Sequence, residues 1–218
     1  MSKKSRIAVV LSGCGVYDGA EIHEAVLSLL AIDRQGAEAV CFAPNVDQMH
    51  VVNHLTGQPT DERRNVLVEA ARIARGAISD IAGFKAADVD AILFPGGFGA
   101  AKNLCSFAVD GADCTVDPGV EAAIKAMRAA GKPIGALCIA PALLARVLGQ
   151  GEVTIGNDPE TARAIEAMGA RHKVAGHGQV VVDAGLKVVT SPCYMLDASI
   201  SQIAEGADAV VRELLRLV

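Results

Sequence analysis

The chain has 218 residues, of which 51% are hydrophobic and 3% are aromatic, and its net charge at pH 7 is −5. This length suits one α/β domain with a substantial core. Lys and Arg are dispersed and Trp is absent, which argues against a nucleic-acid-binding surface. No uncharged apolar run reaches the roughly 18 residues of a membrane span, so we expect no membrane insertion.

The first apolar segment, from Ile7 to Leu11, predicts a strand. It is too short for the hydrophobic region of a secretory signal peptide. The six cysteines are scattered without a CxxC pair, which is typical of reduced thiols in a protein that is not exported. We therefore expect a cytoplasmic protein.

Strands and helices alternate along almost the whole chain. The pattern predicts a doubly wound α/β sandwich with a mostly parallel sheet, as one domain over residues 1–218. The helix over 21–34 is expected to bury Ile22, Val26, Leu29 and Leu30 on one face. The later predicted elements are a strand at 39–43, a helix at 61–75 after Thr60 as N-cap, a strand at 89–94, a helix at 118–130, a hairpin at 180–190 and a helix at 198–218.

Two patterns resemble cofactor or metal sites without matching them. The loop after the first strand is rich in glycine and includes Gly15, but its glycine spacing departs from the dinucleotide fingerprint. His50 and His54 are four residues apart, yet no third metal ligand is evident nearby. We therefore expect neither a nucleotide cofactor nor a metal.

Cys138 lies where an apolar strand turns sharply into a helix that begins near Pro141. Such a turn lifts one side chain into the crevice at the carboxyl edge of a parallel sheet. It also directs the first free N–H groups of the helix at that side chain, which favours the nucleophilic thiolate. The turn predicts a cysteine nucleophile elbow, the alternative being a buried structural cysteine.

A carboxyl group for this site is available in the first turns of the helix over 21–34. Glu21 follows the first strand, so its side chain can face the same crevice as Cys138. Glu24 lies three residues later on nearly the same helix face and is the competing candidate. Either glutamate could also serve only as a favourable charge near a helix N-terminus.

The strand over 89–94 runs directly into Gly96 and Gly97, with Asn103 a few residues beyond. Adjacent glycines let the backbone approach a ligand closely, and their N–H groups can stabilise an oxyanion. An ordinary tight turn is the alternative. His177 and Cys193 lie near the predicted hairpin and could border the site, although both residue types are more often structural.

The combined motifs resemble the class I glutamine-amidotransferase-like superfamily, which includes PfpI proteases, and within it the ElbB branch, described as glyoxalases and as isoprenoid-biosynthesis proteins with an amidotransferase-like domain. No single motif is specific, but together they span nearly the whole chain. They are Leu11–Gly19, Glu21–Ala25, Val40–Pro44, Asn53–Gly57, Arg64–Leu67, Glu69–Arg72, Pro95–Leu104, Cys138–Pro141, Pro192 and Tyr194–Leu196.

The resemblance implies a flavodoxin-like three-layer sandwich, a homodimer, and glyoxalase activity on a small dicarbonyl without a cofactor. It implies Cys138 as nucleophile, Glu21 as acid and base, and the backbone of Gly97 and Ile139 as oxyanion donors. Gly96, Gly15, Glu24 and Asn103 are then candidates for the substrate pocket. The link of this branch to isoprenoid biosynthesis is looser.

The chain departs from amidotransferases in one respect, because the segment after the elbow helix, residues 153–159, contains no His. Hydrolysis by a Cys–His pair is therefore disfavoured, and a Cys–Glu pair suits aldehyde chemistry better. On this interpretation the loss of activity should be severe in Glu21→Gln and mild in Glu24→Gln, whereas the reverse order would give the acid–base role to Glu24.

Two alternatives remain open from the sequence. An accessible thiolate beside a carboxyl group also suits a non-enzymatic redox sensor or a chaperone-like protein. A protease or amidotransferase would require a His from elsewhere, either His177 or a residue of a dimer partner.

Overall fold

The computed structural model describes residues 4–218, and its centre is one seven-stranded sheet. Two further two-stranded sheets pair β3 with β4 and β8 with β9. The strands are β1 (Arg6–Val10), β2 (Glu38–Ala43), β3 (Val51–Asn53), β4 (Gln58–Thr60), β5 (Ile78–Asp80), β6 (Ala91–Phe94), β7 (Ile134–Leu137), β8 (Glu152–Val153), β9 (Arg171–His172), β10 (Val181–Asp183) and β11 (Val188–Ser191).

Helices cover both faces of the large sheet, as predicted for a flavodoxin-like α/β sandwich. The helices are α1 (Ile22–Arg34), α2 (Val66–Ile73), α3 (Phe98–Lys102), α4 (Phe107–Asp110), α5 (Pro118–Ala129), α6 (Pro141–Leu148), α7 (Pro159–Ala167) and α8 (Ile200–Leu217). No helix of the described chain is both long and apolar enough to cross a membrane.

The large sheet has the order β10-β11-β7-β6-β1-β2-β5, and only the pair β10–β11 is antiparallel. The predicted hairpin is thus confirmed, and its second strand runs parallel to β7. The run of apolar residues in β1 fits a strand that is covered on both sides. Ile7 and Val9 join one core cluster, whereas Ala8 and Val10 join the other.

Helix α1 is oriented differently from the prediction. Ile22, Val26 and Leu30 form an exposed apolar stripe on the described chain, with 38% to 46% of their surface accessible. The buried face is formed instead by small residues, Ile32 and one carboxyl group, and it packs mainly against α8. The buried residues of α1 are Glu24, Ala25, Ser28, Ala31 and Ile32.

Helix α2 is shorter than predicted, because Asn65 rather than Thr60 is its N-cap and accepts the Val68 N–H at 3.0 Å. Thr60 lies instead at the end of β4, paired with Val51. Ile78–Asp80, for which the sequence analysis predicts no strand, is the edge strand β5, and its backbone pairs with Cys41–Ala43 of β2. Three-residue strands such as β4 and β5 carry too little side-chain pattern to be recognised from sequence.

The orientation of α1 can be tested with two isoleucines. Ile32→Ala should lower the free energy of unfolding by about 2–4 kcal/mol, because it leaves a cavity under a fully buried side chain. Ile200→Ala is the matched control, since 54% of Ile200 is exposed and its loss should cost less than about 1 kcal/mol. Urea unfolding of both variants measures the difference. Equal costs would contradict the described packing of α1.

Candidate functional site

Four neighbouring parallel strands, β11, β7, β6 and β1, end at the same edge of the sheet and supply the site. Glu21 and Glu24 follow β1, the two glycines follow β6, Cys138 follows β7 and Tyr194 follows β11. This is the crevice at which α/β sheets bind ligands. A cavity of about 430 Å³ opens here, lined by Val16, Glu21, Gly97, Phe98, Ala101, Phe107, Ala108, Cys138, Ile139, Thr161, Tyr194 and Met195.

Cys138 lies at the elbow that the sequence predicted. Its φ of 59° falls in the left-handed region, which a residue with a Cβ rarely adopts. The Cys138 N–H donates to the Ser191 carbonyl of β11 at 3.0 Å, so the neighbouring strand holds the turn in place. Strained backbone at a nucleophile is a feature of such elbows.

Glu24 is the carboxyl group next to the thiol. It is fully buried, and its side chain hydrogen-bonds with that of Cys138. Its Oε2 accepts the Gly96 N–H at 2.9 Å and its Oε1 accepts the Tyr194 N–H at 3.1 Å. Two loops from different strands therefore fix both oxygens of one carboxyl group.

Burial raises the pKa of Glu24 to about 8, and the nearby Glu21 adds to the rise. The N–H groups of Tyr194 and Gly96 and the Cys138 thiol act in the opposite direction, but they do not offset the loss of hydration. Glu24 is therefore mainly protonated at neutral pH and is suited to carry a proton.

Glu21 has a different environment. It is the N-cap of α1, and its Oε2 accepts the Glu24 N–H at 2.7 Å. Its side chain also lines the cavity with Cys138, as expected for a residue facing the crevice. One Glu21 oxygen thus caps the N-terminus of α1, whereas Glu24 is the residue that hydrogen-bonds with the thiol.

The thiol differs from the sequence expectation of a favoured thiolate. Burial raises the pKa of Cys138 well above its ordinary value, and the nearby Glu24 and Cys193 raise it further. The N–H groups of Gly97 and Ile139 donate to the sulfur and lower the pKa, but burial dominates. Cys138 therefore needs a proton acceptor to become a nucleophile, and the adjacent carboxyl group is in position to be one.

The double-glycine turn is required by close packing. A Cβ on Gly96 would lie 2.7 Å from Glu24 Oε2 and 2.9 Å from Cys138 Sγ. Gly97 has a φ of 93°, and a Cβ there would overlap the backbone at Glu21 and Gly19. Only glycine at these positions lets the β6 loop lie between the thiol and the α1 carboxyl groups.

The two remaining pocket candidates, Gly15 and Asn103, hold neighbouring loop segments together. Gly15 donates its N–H to the Ala20 carbonyl at 2.9 Å, and a Cβ there would overlap the His54 ring. Asn103 is buried and joins three backbone segments, donating to the Ser12 and Asp18 carbonyls and accepting the Met49 N–H. Neither residue lines the cavity.

Cys193 borders the site and His177 does not. Cys193 is buried; the charge of Glu24 raises the pKa of Cys193 and of Cys138, and Cys193 also raises the pKa of Cys138. His177 is exposed and is not among the cavity residues. Within residues 4–218, no group of three or more His, Cys, Asp and Glu side chains could hold a metal ion.

Tyr194 was missed by the sequence reasoning. Its backbone fixes Glu24, its side chain lines the cavity, and its hydroxyl lies 2.8 Å from His23 Nδ1. The position of β11 beside β7 could have revealed it, because the residues after β11 then reach the same edge as Cys138.

Comparisons with known proteins identify relatives of the chain in sequence and in fold. No protein-family model matches the sequence. The chain is 53% identical to the human "Glutamine amidotransferase-like class 1 domain-containing protein 3, mitochondrial" over 98% of its own length and 83% of that protein. It is 35% identical to an "isoprenoid biosynthesis protein with amidotransferase-like domain" from Ehrlichia chaffeensis, with a TM-score of 0.91 over 98% of this chain and 100% of that one.

A more distant likeness concerns the fold alone. Drosophila melanogaster DJ-1beta is 16% identical, with a TM-score of 0.56 over 99% of this chain and 96% of that one. The chain therefore shares the flavodoxin-like α/β fold of the DJ-1/PfpI proteins.

The expected cytoplasmic location is wrong by this comparison, because relatives from human, rat and zebrafish are all named mitochondrial proteins. The sequence argument considered only a secretory signal peptide. Mitochondrial targeting segments are amphipathic and rich in Arg and Ser, so that argument does not address them.

More than half of the aligned residues are identical to those of the human relative, and the alignment covers nearly the whole chain and most of that protein. This similarity establishes the family. The chain belongs to the family of glutamine amidotransferase-like class 1 domain-containing proteins.

Proposed function

We propose that this protein is a glyoxalase that converts glyoxal, and by extension methylglyoxal, to the 2-hydroxy acid without a cofactor. The observation that carries the proposal is the buried pair of Cys138 and Glu24, in which Cys138 lines a small, largely apolar cavity and Glu24 lies behind it, next to the thiol. No His is among the residues that line this cavity in the described chain, which disfavours Cys–His hydrolysis.

The first step of the proposed reaction is attack of Cys138 sulfur on one carbonyl carbon of glyoxal. Glu24 in its ionised form accepts the thiol proton, so the attacking sulfur is generated only beside the substrate. The N–H groups of Gly97 and Ile139, which donate to the sulfur in the free protein, then face the oxygen on which negative charge develops. Glu24 then returns the proton to this oxygen, which gives the hemithioacetal and leaves Glu24 ionised for the next step.

The second step moves hydrogen between the two substrate carbons. A carboxylate removes the proton from the carbon attached to sulfur and returns a proton to the neighbouring carbon through an enediol, which leaves a glycolyl thioester. Water hydrolyses the thioester and releases glycolate and the free thiol. The sum is glyoxal plus water giving glycolate, so no electron acceptor is needed.

We assign both proton transfers to Glu24, whereas the sequence argument assigned them to Glu21. Glu24 hydrogen-bonds with Cys138 and has a pKa of about 8, which suits a group that takes up and releases protons near neutral pH, whereas Glu21 serves as the N-cap of α1. Glu21 then contributes by raising the pKa of Glu24 and by forming the cavity wall.

The redox-sensor alternative receives less support at Cys138. Peroxide reacts with the thiolate, whereas burial raises the pKa of this thiol well above its ordinary value and so keeps it protonated. The isoprenoid-biosynthesis label belongs to the Ehrlichia relative, and the cavity gives no further support for it here.

We also propose that the protein is a homodimer, as the family resemblance implies. The exposed stripe of Ile22, Val26 and Leu30 on α1 supports this proposal, because regularly spaced apolar side chains on one helix face suit a self-complementary contact.

Three variants test the assignment of roles in steady-state turnover of glyoxal. Cys138→Ala should reduce kcat/KM by more than about 10³-fold and Glu24→Gln by about 10²- to 10³-fold, since each removes a reacting group. Glu21→Gln is the matched control: its amide oxygen can still cap α1, so the loss should stay within about 10-fold. A larger loss for Glu21→Gln than for Glu24→Gln would return the proton transfers to Glu21. Activity above a few per cent in Cys138→Ser would exclude the covalent route.

The pH profile tests the protonation state. In the ascending limb, kcat/KM should rise through an apparent pKa of about 8, because Glu24 must lose its proton before it can accept that of Cys138. In Glu24→Gln the residual activity should lack this limb and rise only at higher pH, where the thiol of raised pKa ionises. An unchanged profile in Glu24→Gln would show that another group governs the reaction.

The dimer proposal predicts a response to charge on α1. Val26→Glu should convert a dimeric wild-type protein to monomers in light scattering after size exclusion, because 46% of this side chain is exposed on one chain and a dimer contact would bury the new charge. Val109→Glu, at an exposed position on α4, is the control and should leave the mass unchanged. A monomeric wild-type protein would contradict the proposal.

A further inference from the structure

A pair of thiols lies behind one wall of the cavity, apart from Cys138. Cys105 follows α3 and Cys114 precedes α5, and both side chains are buried. The two side chains hydrogen-bond with each other, and Cys105 Sγ also lies 3.3 Å from the Ala100 carbonyl. Neither cysteine takes part in the reaction proposed above.

Backbone pairing brings together the two segments that carry these cysteines. Cys105 forms an antiparallel bridge with Val116. On one side of this bridge the Ser106 N–H donates to the Thr115 carbonyl at 2.9 Å, and on the other the Asp117 N–H donates to the Leu104 carbonyl at 2.9 Å. The fold therefore places the two cysteines diagonally across a pair of antiparallel segments, which brings their side chains to the same face.

The electrostatic surroundings distinguish the two sulfur atoms. The hydrogen bond from Cys105 lowers the pKa of Cys114, and the charge of Arg146 on α6 adds to this effect. Arg146 is fixed there, because its Nε donates to the Cys114 carbonyl at 2.6 Å. The same hydrogen bond, together with burial, raises the pKa of Cys105. Cys114 is thus the thiol that ionises first, and a thiolate beside a protonated thiol is the arrangement that disulfide formation requires.

We propose that Cys105 and Cys114 form a reversible redox modification site, which a hydroperoxide converts to an intramolecular disulfide. The Cys114 thiolate attacks the terminal peroxide oxygen, the O–O bond breaks, and the alcohol or water leaves with a proton, which gives a sulfenic acid. The sulfur of Cys105 then attacks the sulfenic sulfur and expels water. Two thiols and one hydroperoxide give one disulfide, one alcohol or water, and one further water, so two electrons pass to the peroxide.

The site is connected to the cavity by a ten-residue segment. The residues between the two cysteines include α4, which supplies Phe107 and Ala108 to the cavity wall. A disulfide would tie the two ends of this segment together and restrict its opening. Oxidant can enter by local opening of α4, which has only four residues and exposes 66% of Val109.

The chain allows a direct mass measurement of this disulfide. Cleavage after Lys102 and Lys125 releases residues 103–125, a peptide that contains both cysteines and no other Lys or Arg. The native protein is treated with one equivalent of hydrogen peroxide, unfolded, alkylated and digested. We expect this peptide to lose two hydrogen atoms and take up no alkyl group, and reduction with dithiothreitol should restore two alkylation sites.

Two controls make the result specific. Cys105→Ser should abolish the disulfide and leave Cys114 alkylated or as a trapped sulfenic acid. Cys41 on β2 is the internal control: it is buried and burial raises its pKa to about 11, so it should remain alkylated. Full alkylation of Cys105 and Cys114 while Cys138 is oxidised, or disulfides scrambled among several cysteines, would overturn the proposal.

Hydrogen exchange tests the connection to the cavity wall. Amides of residues 107–110 should exchange at least several-fold more slowly in the oxidised protein than in the reduced protein, with no change in Cys105→Ser. Equal exchange in the two states of the wild-type protein would overturn the claim that the disulfide restricts the wall. These measurements need no dicarbonyl substrate, so their outcome is independent of the proposed glyoxalase activity.

Discussion

The site depends on the burial of one carboxyl group, that of Glu24, against a thiol. An isolated carboxylate in an apolar interior is costly, so the group is retained there mainly as the acid and is held by hydrogen bonds to both oxygens. The donors come from the loops after β6 and β11, and the thiol comes from the loop after β7. Fixing this single side chain therefore requires three neighbouring strands to end in register beside α1.

Close approach of these loops is possible because of local backbone choices. Gly96 and Gly97 leave no Cβ between the β6 loop and its neighbours, and Cys138 adopts a left-handed conformation that turns its sulfur toward Glu24. The backbone strain at Cys138 is offset by the hydrogen bond to Ser191 and by the packing of the surrounding strands. The same packing explains why the thiol is not a ready thiolate: the residues that position it also exclude the water that would stabilise its charge.

The sequence predicted the parts of the fold that have a strong pattern. The long apolar strands, the long helices and the elbow at Cys138 were confirmed, because each has a local signature, whereas the predicted cap at Thr60 was wrong. The edge strand β5 was missed because three residues carry too little periodicity. The buried face of α1 was predicted wrongly, because it consists mainly of small residues and one carboxyl group. The hydrophobic pattern identified the apolar stripe of α1 correctly, but the prediction placed this stripe in the core and the structure exposes it.

Most residues of the site could be predicted from the sequence, but the contacts between them could not. The order of strands along the sheet, which long-range pairing determines, decides that Glu24 meets Cys138 and that Tyr194 reaches the same cavity. Two glutamates three residues apart cannot be ranked by spacing alone. The contact between Cys105 and Cys114 was likewise beyond the sequence, because it depends on the antiparallel pairing of two irregular segments.

The central claim is that Glu24 converts a hemithioacetal on Cys138 into a thioester. The most direct measurement is mass spectrometry of the Cys138 peptide after acid quench of the protein during turnover of glyoxal. We predict an adduct of one glyoxal on Cys138 that hydroxylamine removes, as expected of a thioester, and its absence in Glu24→Gln, where the hemithioacetal reverts on workup. An adduct that resists hydroxylamine, or none during active turnover, would contradict the account.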